Sequence, residues 1–371
     1  MKPRDEKQLA EAVRSAKAPF EVLGLGTKRA LGRPVEAQKL DLSAFKGVIA
    51  YEPEELILEC GAATKLSEIE KLLANKNQML AFEPPDFSKL LGSSHAGSVG
   101  GALACNLAGP RRLKAGAARD HILGVTGVNG QGELIRAGAR VVKNVTGYDV
   151  PRLVAGSFGT LMAFTSVIFK VLPKPETEQT LRFVASSLAD SISLMSKAMQ
   201  SNAEISSAAF MPAGIVYLRL EGIAASVTYR KSQLQSVLCV AEEVFDFEES
   251  QNIWRNLGMV APLTVLNDVE IWRVVLPQTD APAFLAALPF EHKYFLDWAG
   301  SVIWLAVKPG TNVRMHLKSG VATLYRGDEK MRTKAEVFHP QAPALAALSA
   351  RVKSAFDPKG LLNPGKMYRE F

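Results

Sequence analysis

No stretch of the chain approaches the roughly 18 consecutive apolar residues of a membrane-spanning helix, so a span of that kind is not expected. The opening MKPRDEKQLAEAV has no apolar leader segment, and a cytoplasmic location is the expectation. Cysteine is scarce. Cys60, Cys105 and Cys239 are far apart and odd in number, with no C-x-x-C and no Cys/His pair at ligand spacing. That argues against a disulfide framework, a zinc site or iron–sulfur ligation, and no metal is expected. Histidine is also rare: His95, His121, His292, His316 and His339 include no two at ligand spacing. The net charge of +7 lacks the basic stripe with interleaved aromatics of a nucleic-acid binder. Its densest basic group, Pro110-Arg111-Arg112-Leu113-Lys114, reads as a solvated face, with an anionic ligand or an acidic partner as the other reading. Repeats and low-complexity tracts are missing, and the sequon Asn144-Val145-Thr146 reads as chance.

What is present is ordinary globular material: 371 residues, 47% hydrophobic, enough for two domains and a large core. Leu9, Val13 and Ala16 predict a helix over residues 5–17. Phe20 to Leu23 reads as a buried strand, with further short strands at Lys39–Leu42, Gly47–Ala50 and Leu56–Cys60. Thr64 is expected to cap a helix carrying Leu66, Ile69, Leu72 and Leu73 on one face. Ile122–Val128 and Glu133–Arg136 form a hairpin through Asn129-Gly130-Gln131-Gly132. Met162–Leu172 is a strand ended by Pro173-Lys174-Pro175. Beyond it, strands such as Ile215–Leu218 and Ile271–Val275 mix with a helical stretch, Leu181–Met199, which suggests an α+β domain with a mainly antiparallel sheet. A last helix ends near Phe356. The division expected is residues 1–173, 174–340 and a tail, 341–371, that returns to the first domain.

Three segments are candidates for holding a ligand. Gly24, Gly26, Thr27, Lys28 and Arg29 form a glycine turn with clustered N–H groups and two cations, suited to phosphate. It is neither a Rossmann nor a Walker pattern, because Arg29 stands where a third glycine belongs. Residues 92–109, GSSHAGSVGGALACNLAG, are nearly bare of side chains. There Gly100-Gly101 suggests a helix start with free N–H groups for a pyrophosphate, aided by Gly97, Ser98 and Asn106. These glycines have no packing reason evident in the sequence. The third segment, 141–161, reads VVKNVTGYDVPRLVAGSFGTL. In it Asp149 suits a helix cap and Tyr148 a core aromatic, while Gly156, Ser157, Gly159 and Thr160 bring backbone to a ligand edge.

The ordered set of these loops with Arg119-Asp120-x-x-Leu123-Gly124-Val125, Lys143-Asn144-x-x-Gly147-Tyr148-Asp149 and Gly156-Ser157-x-Gly159-Thr160-Leu161 resembles the FAD-binding family of vanillyl-alcohol oxidase and para-cresol methylhydroxylase. The tail Asp357-Pro358 to Asn363-Pro364-Gly365 resembles the family's closing motif. The resemblance covers residues 20–172 and 345–367. It implies a PCMH-type FAD-binding domain of two α/β subdomains, a second α+β domain, and non-covalent FAD. Gly24 to Arg29 and Ser98 to Asn106 would hold the pyrophosphate, and Gly156 to Leu161 with Asn363 would approach the flavin. Asp120, Lys143 and Asn144 join the set through their motifs.

Within the family the likeness is to small FAD-binding subunits of 2-hydroxy-acid (glycolate) oxidases. It implies an electron-transfer or supporting role beside a larger catalytic flavin subunit and an iron–sulfur subunit, which would place the chain peripheral to the inner membrane. The H-x-G-D-G-N-x-H substrate motif of larger relatives is missing, and no catalytic base can be named. Lys318 and Arg326 are candidate carboxylate partners by residue type. His95 is a candidate proton carrier, a solvent-exposed or structural role being the other reading, and His95 and His121 are candidates for flavin attachment by residue type alone. Trp272, Trp298 and Trp304 read as core, with a substrate pocket or interface as the other reading. A self-sufficient FAD-dependent oxidase of a small alcohol or hydroxy acid and a non-catalytic scaffold that has lost flavin remain alternatives.

Overall fold

The structure is a computed structural model that describes residues 1–141 and 147–370. Contacts divide the chain into two compact units. One comprises Met1–Ala108, Gly116–Lys174 and Arg332–Phe371; the other comprises Gly109–Ala115 and Pro175–Met331.

In the first unit, the helix Glu6–Arg14 starts at Asp5, whose carboxylate accepts the Gln8 N–H. Its apolar face buries Leu9 and Val13 against Phe20, Leu40, Val128 and Ala163. The strands Phe20–Leu23 and Gln38–Asp41 pair in parallel. The tail extends this pair on the other side. Phe20 N–H donates to Leu361 O at 2.7 Å, and Asn363 N–H donates to Phe20 O at 2.9 Å. Leu361 and Leu362 thereby enter the same core, each worth about 2 kcal/mol of burial.

A five-stranded antiparallel sheet forms the second layer, in the order Val48–Glu52, Ile57–Gly61, Met162–Lys170, Ile122–Asn129, Leu134–Gly138. The long strand Met162–Lys170 runs through its centre and is buried over six successive residues, the polar Thr165 and Ser166 among them. Thr64 is not the cap of the next helix. Lys65 holds that position without a side-chain bond, and the Thr64 hydroxyl donates instead to Gly61 O at 2.6 Å. Asp149 does cap Val150–Val154, accepting the Arg152 N–H. Tyr148 is no core residue: it is 95% exposed.

The second unit is built on one eight-stranded antiparallel sheet. The stretch expected to be helical from Leu181 begins as a strand, Thr177–Val184, and the helix is Leu188–Gln200. Alternating burial along Thr177–Val184 fits a pleated strand, and Ser187 starts the helix by accepting the Asp190 N–H. Arg111 is also not part of a solvated face. It is buried, with its Nε 2.9 Å from Glu221 and a terminal nitrogen 3.8 Å from Glu178. Burial alone would raise the Glu221 carboxyl, but Arg219 and Arg111 outweigh it and hold the pKa at about 2.

Among the described residues, no helix is long and apolar enough to cross a membrane.

Candidate functional site

A cleft opens in the first unit at the end of the strand Phe20–Leu23. One wall is the turn Gly24–Arg29, in which Gly26 takes φ +71°, a left-handed value natural to glycine. The turn is closed by Arg29 N–H to Gly26 O at 3.3 Å and Leu31 N–H to Lys28 O at 3.1 Å. Between these bonds, the N–H groups of Leu25, Gly26, Thr27 and Lys28 find no acceptor among the described residues. Four successive free donors on a cleft wall form a concave anion receptor. Arg29 is turned back on the protein, its Nε and one terminal nitrogen 2.7 and 2.8 Å from the two Glu21 oxygens. Glu21 is buried, and this bidentate pair is what allows its charge there.

Two lysines supply charge to the cleft. Desolvation draws the Lys28 pKa below its ordinary value, with Cys105 and Asp86 acting the other way. Its ammonium makes no hydrogen bond among the described residues. Lys366, three residues beyond Asn363, is buried, and its Nζ donates to Arg29 O at 3.0 Å. Burial brings its pKa down to about 8, although Cys105 opposes the shift. The same burial pushes the Cys105 thiol up to about 11, against the pull of Lys28 and Lys366.

The second glycine segment behaves differently from its expectation. Ser98 caps the short helix Val99–Ala104, its hydroxyl accepting the Gly101 N–H at 3.2 Å. Gly100 N–H donates to Ala62 O at 2.8 Å and Val99 N–H to Thr64 O at 3.0 Å. The free donors expected at Gly100-Gly101 are therefore already taken by the protein. The glycines serve close approach instead. A Cβ on Gly100 would lie 2.6 Å from Ala62 O; one on Gly97 would lie 2.5 Å from Lys28 Nζ, and one on Gly101 3.4 Å from it. So the segment does have a packing reason to be bare: it leaves room for the Lys28 ammonium and for the neighbouring strand end.

The turn Gly156–Leu161 closes the third side, with Phe158 and Gly159 in the lining. It is tied to the helix Val99–Ala104 by Gly156 N–H to Leu103 O at 3.0 Å and Phe158 N–H to Ala104 O at 2.8 Å. Asn363 clamps it to the first wall. Its Oδ1 accepts the Val22 N–H at 2.7 Å, and its Nδ2 donates to Phe158 O at 2.8 Å. Behind it, Lys353 Nζ donates to Thr160 O, Leu362 O and Asp357 Oδ2 at 2.7, 2.9 and 2.6 Å. Desolvation lowers the pKa of this lysine and Asp357 resists the change. The closing motif is thus a knot of hydrogen bonds that fixes the cleft's edge.

The cleft brings together Gly24, Gly26, Thr27, Lys28, Arg29, Ser98, Gly100, Gly101, Gly159 and Asn363. Gly97 adjoins it over Lys28. Gly156, Ser157 and Thr160 stand behind the lining, and the Ser157 hydroxyl is buried with no hydrogen-bond partner among the described residues. Asn106 and Asp120 hold loops: Asn106 Oδ1 accepts the Arg119 N–H, and Asp120 Oδ2 the Ala117 N–H. Lys143 and Asn144 lie outside the described residues. His95 is exposed, and His121 is buried with its ring 5.5 Å from Phe82. Arg326 directs its guanidinium at Thr264 O and Leu266 O, and Lys318 is exposed. Among the described residues no His, Cys, Asp and Glu cluster is arranged to hold a metal ion.

Glu21 and Lys366 were not foreseen as cleft residues, and Cys105 and Phe158 were included only within their segments. Only Lys366 had a usable signal, standing in the N-P-G-K of the closing motif. The free donor run, two lysines in the cleft and an unpaired hydroxyl behind its lining suit a dinucleotide with a diphosphate.

Comparison with known proteins agrees with this chemistry. A family model for an FAD binding domain matches residues 1–138, and one for the C-terminal domain of FAD-linked oxidases matches residues 331–367. The chain is 33% identical to glycolate oxidase subunit GlcE of Escherichia coli, over 98% of this chain and 96% of that protein. It is 27% identical to glycolate oxidase subunit GlcD of Bacillus subtilis, over 77% of this chain and 70% of that protein. Among solved structures, alkyldihydroxyacetonephosphate synthase superposes with a TM-score of 0.66 at 14% identity, over 98% of this chain and 75% of that one, a likeness of fold. With a relative at this level of identity along 98% of the chain, the chain belongs to the FAD-linked oxidoreductases, in the family of glycolate oxidase subunit GlcE.

Proposed function

We propose that the chain is the FAD-binding subunit of a hetero-oligomeric 2-hydroxy-acid oxidase or dehydrogenase acting on glycolate. The observation that carries this reading is the uninterrupted similarity to a glycolate oxidase subunit along a chain whose cleft offers four free N–H donors in a row. Its partners are a larger catalytic flavin subunit and an iron–sulfur subunit, which hold it at the inner membrane. The first unit is the FAD domain, with residues 341–371 as its returning tail. The second unit is the substrate or cap-like domain.

FAD supplies two-electron redox chemistry when bound. The chain's residues bind and orient it non-covalently. Leu25 to Lys28 donate to the diphosphate through their N–H groups, while Lys28 and Lys366 offset its charge. Ser98, Gly100 and Gly101 form the wall beside Lys28. Gly156 to Thr160 and Asn363 keep the opposite wall at a fixed separation. Asn106 and Asp120 hold the loops behind these walls, and Lys143 with Asn144 completes the set. No side chain in the cleft is a convincing base for an alcohol, which favours electron transfer or support over independent turnover.

The test is anaerobic addition of glycolate to the FAD-loaded chain alone, and to the chain co-expressed with its partner subunits, while flavin absorbance near 450 nm is followed. Bleaching only in the complex is the expected result. Rapid bleaching of the isolated chain would instead make it a self-sufficient oxidase, and failure to co-purify with any flavin or iron–sulfur subunit would contradict the assembly.

A further inference from the structure

In the second unit, Arg273 stands among aromatic rings with nothing to bind. The strand Glu270–Val275 pairs with Val302–Val307 so that Arg273 is directly opposite Trp304, on the same face of the sheet. On its other side it pairs with Val321–Arg326, and there the register slips. Ile271 faces Arg326 and Trp272 faces Leu324, which leaves Tyr325 as the extra residue of a bulge. Bulges re-aim side chains. Here the Tyr325 ring meets Trp304 edge-on at 4.9 Å, and both rings lie 6.0 Å from the Arg273 guanidinium.

Trp298 completes the surround, 4.6 Å from the same guanidinium. It is held at φ +52°, followed by Ala299 at +54°, a backbone that costs bulky residues about 1–3 kcal/mol. Two bonds secure it: the Trp298 N–H donates to Asp297 Oδ1 at 2.7 Å, and Nε1 donates to Gly109 O at 3.1 Å. The ring is thus fixed before anything binds.

Arg273 is half-buried, yet among the described residues it makes no hydrogen bond and no ion pair. Arg111, Arg219, Arg314, Arg326 and Arg332, at comparable or greater burial, each donate to an oxygen. Stacking uses the faces of a guanidinium and leaves its in-plane N–H fork open. Apolar rings around the fork strengthen its pull on an anion, and a planar carboxylate matches it with two parallel bonds.

We infer that Arg273, framed by Trp298, Trp304 and Tyr325, is a receptor for a small carboxylate. That the acid is glycolate or another 2-hydroxy acid rests on the function proposed above; the anion site itself does not.

Intrinsic tryptophan fluorescence of the full chain, titrated with glycolate, tests it, since two of the framing residues are tryptophans. A saturable change with glycolate is expected, and none with the uncharged amide glycolamide. Arg273→Gln should weaken the response at least tenfold. Arg273→Lys, which keeps the charge and loses the fork, should weaken it less and decides the matter if the glutamine variant does not fold. Unchanged affinity in either folded variant, no saturable response to glycolate, or tighter binding of inorganic phosphate than of glycolate would overturn the inference. Flavin absorbance of the same samples reports separately on the cleft. A chain that responds to glycolate without holding FAD contradicts only the cofactor reading. One that holds FAD without responding contradicts only this inference.

Discussion

The two glycine-rich segments of the first unit look alike in composition and do opposite things. In Leu25–Lys28, which lines the cleft, the N–H groups have no acceptor among the described residues. In Val99–Gly101 every N–H is taken, by Thr64 O, Ala62 O and the Ser98 hydroxyl. Small residues therefore serve a ligand in one segment and packing in the other, and the hydrogen-bond accounting separates them where composition does not.

Substitutions can break this comparison from either side. Gly100→Val should have the largest effect, a loss of about 3 kcal/mol in chemical denaturation, because the added carbons meet the Ala62 backbone. Next is Asn363→Ala, which leaves the Val22 N–H and the Phe158 carbonyl unpaired and puts alanine at φ +45°, at a cost of about 2–3 kcal/mol by the same assay. Lys28→Met should do the reverse. FAD affinity measured by calorimetry falls roughly 10- to 100-fold, as befits a lost charge-assisted bond of about 1.5–3 kcal/mol, while the ligand-free chain is no less stable.

The smallest effect is in pH. Because Lys366 titrates at about 8 in the folded chain against 10.5 ordinarily, the unfolded chain binds more protons between those values. The contribution of Lys366 to the stability of the ligand-free chain should rise across that window as pH increases, read as the difference between the native chain and Lys366→Met. FAD affinity should fall over the same window as the cation is lost, and Lys366→Met should remove this lysine's share of both trends. Two slopes of the same sign would contradict this role.

Much of the scaffold was legible because periodicity and punctuation mark it. The Asp149 cap and the central strand from Met162 follow directly from residue type and order. What was hidden depends on which neighbour comes close. Nothing in GSVGGALA tells that Ala62 O lies against Gly100, or that a lysine some 70 residues earlier sits over Gly97. Arg111 looked like one more surface cation because its partners, Glu178 and Glu221, are far away in sequence. Leu181 looked helical because its apolar neighbours suit either period over so short a run. Tyr148 failed for the opposite reason: its residue type favours burial, and nothing in the described structure covers it.

The central claim is that the Leu25–Lys28 turn holds the diphosphate of a non-covalent FAD. The most direct measurement compares uptake of FAD and of riboflavin, which lacks the diphosphate, by the flavin-stripped chain, followed by acid precipitation. The account predicts that FAD binds at least 100-fold more tightly than riboflavin and that all its yellow colour moves to the supernatant. Equal affinity for the two, or colour that stays with the precipitated protein, would contradict it.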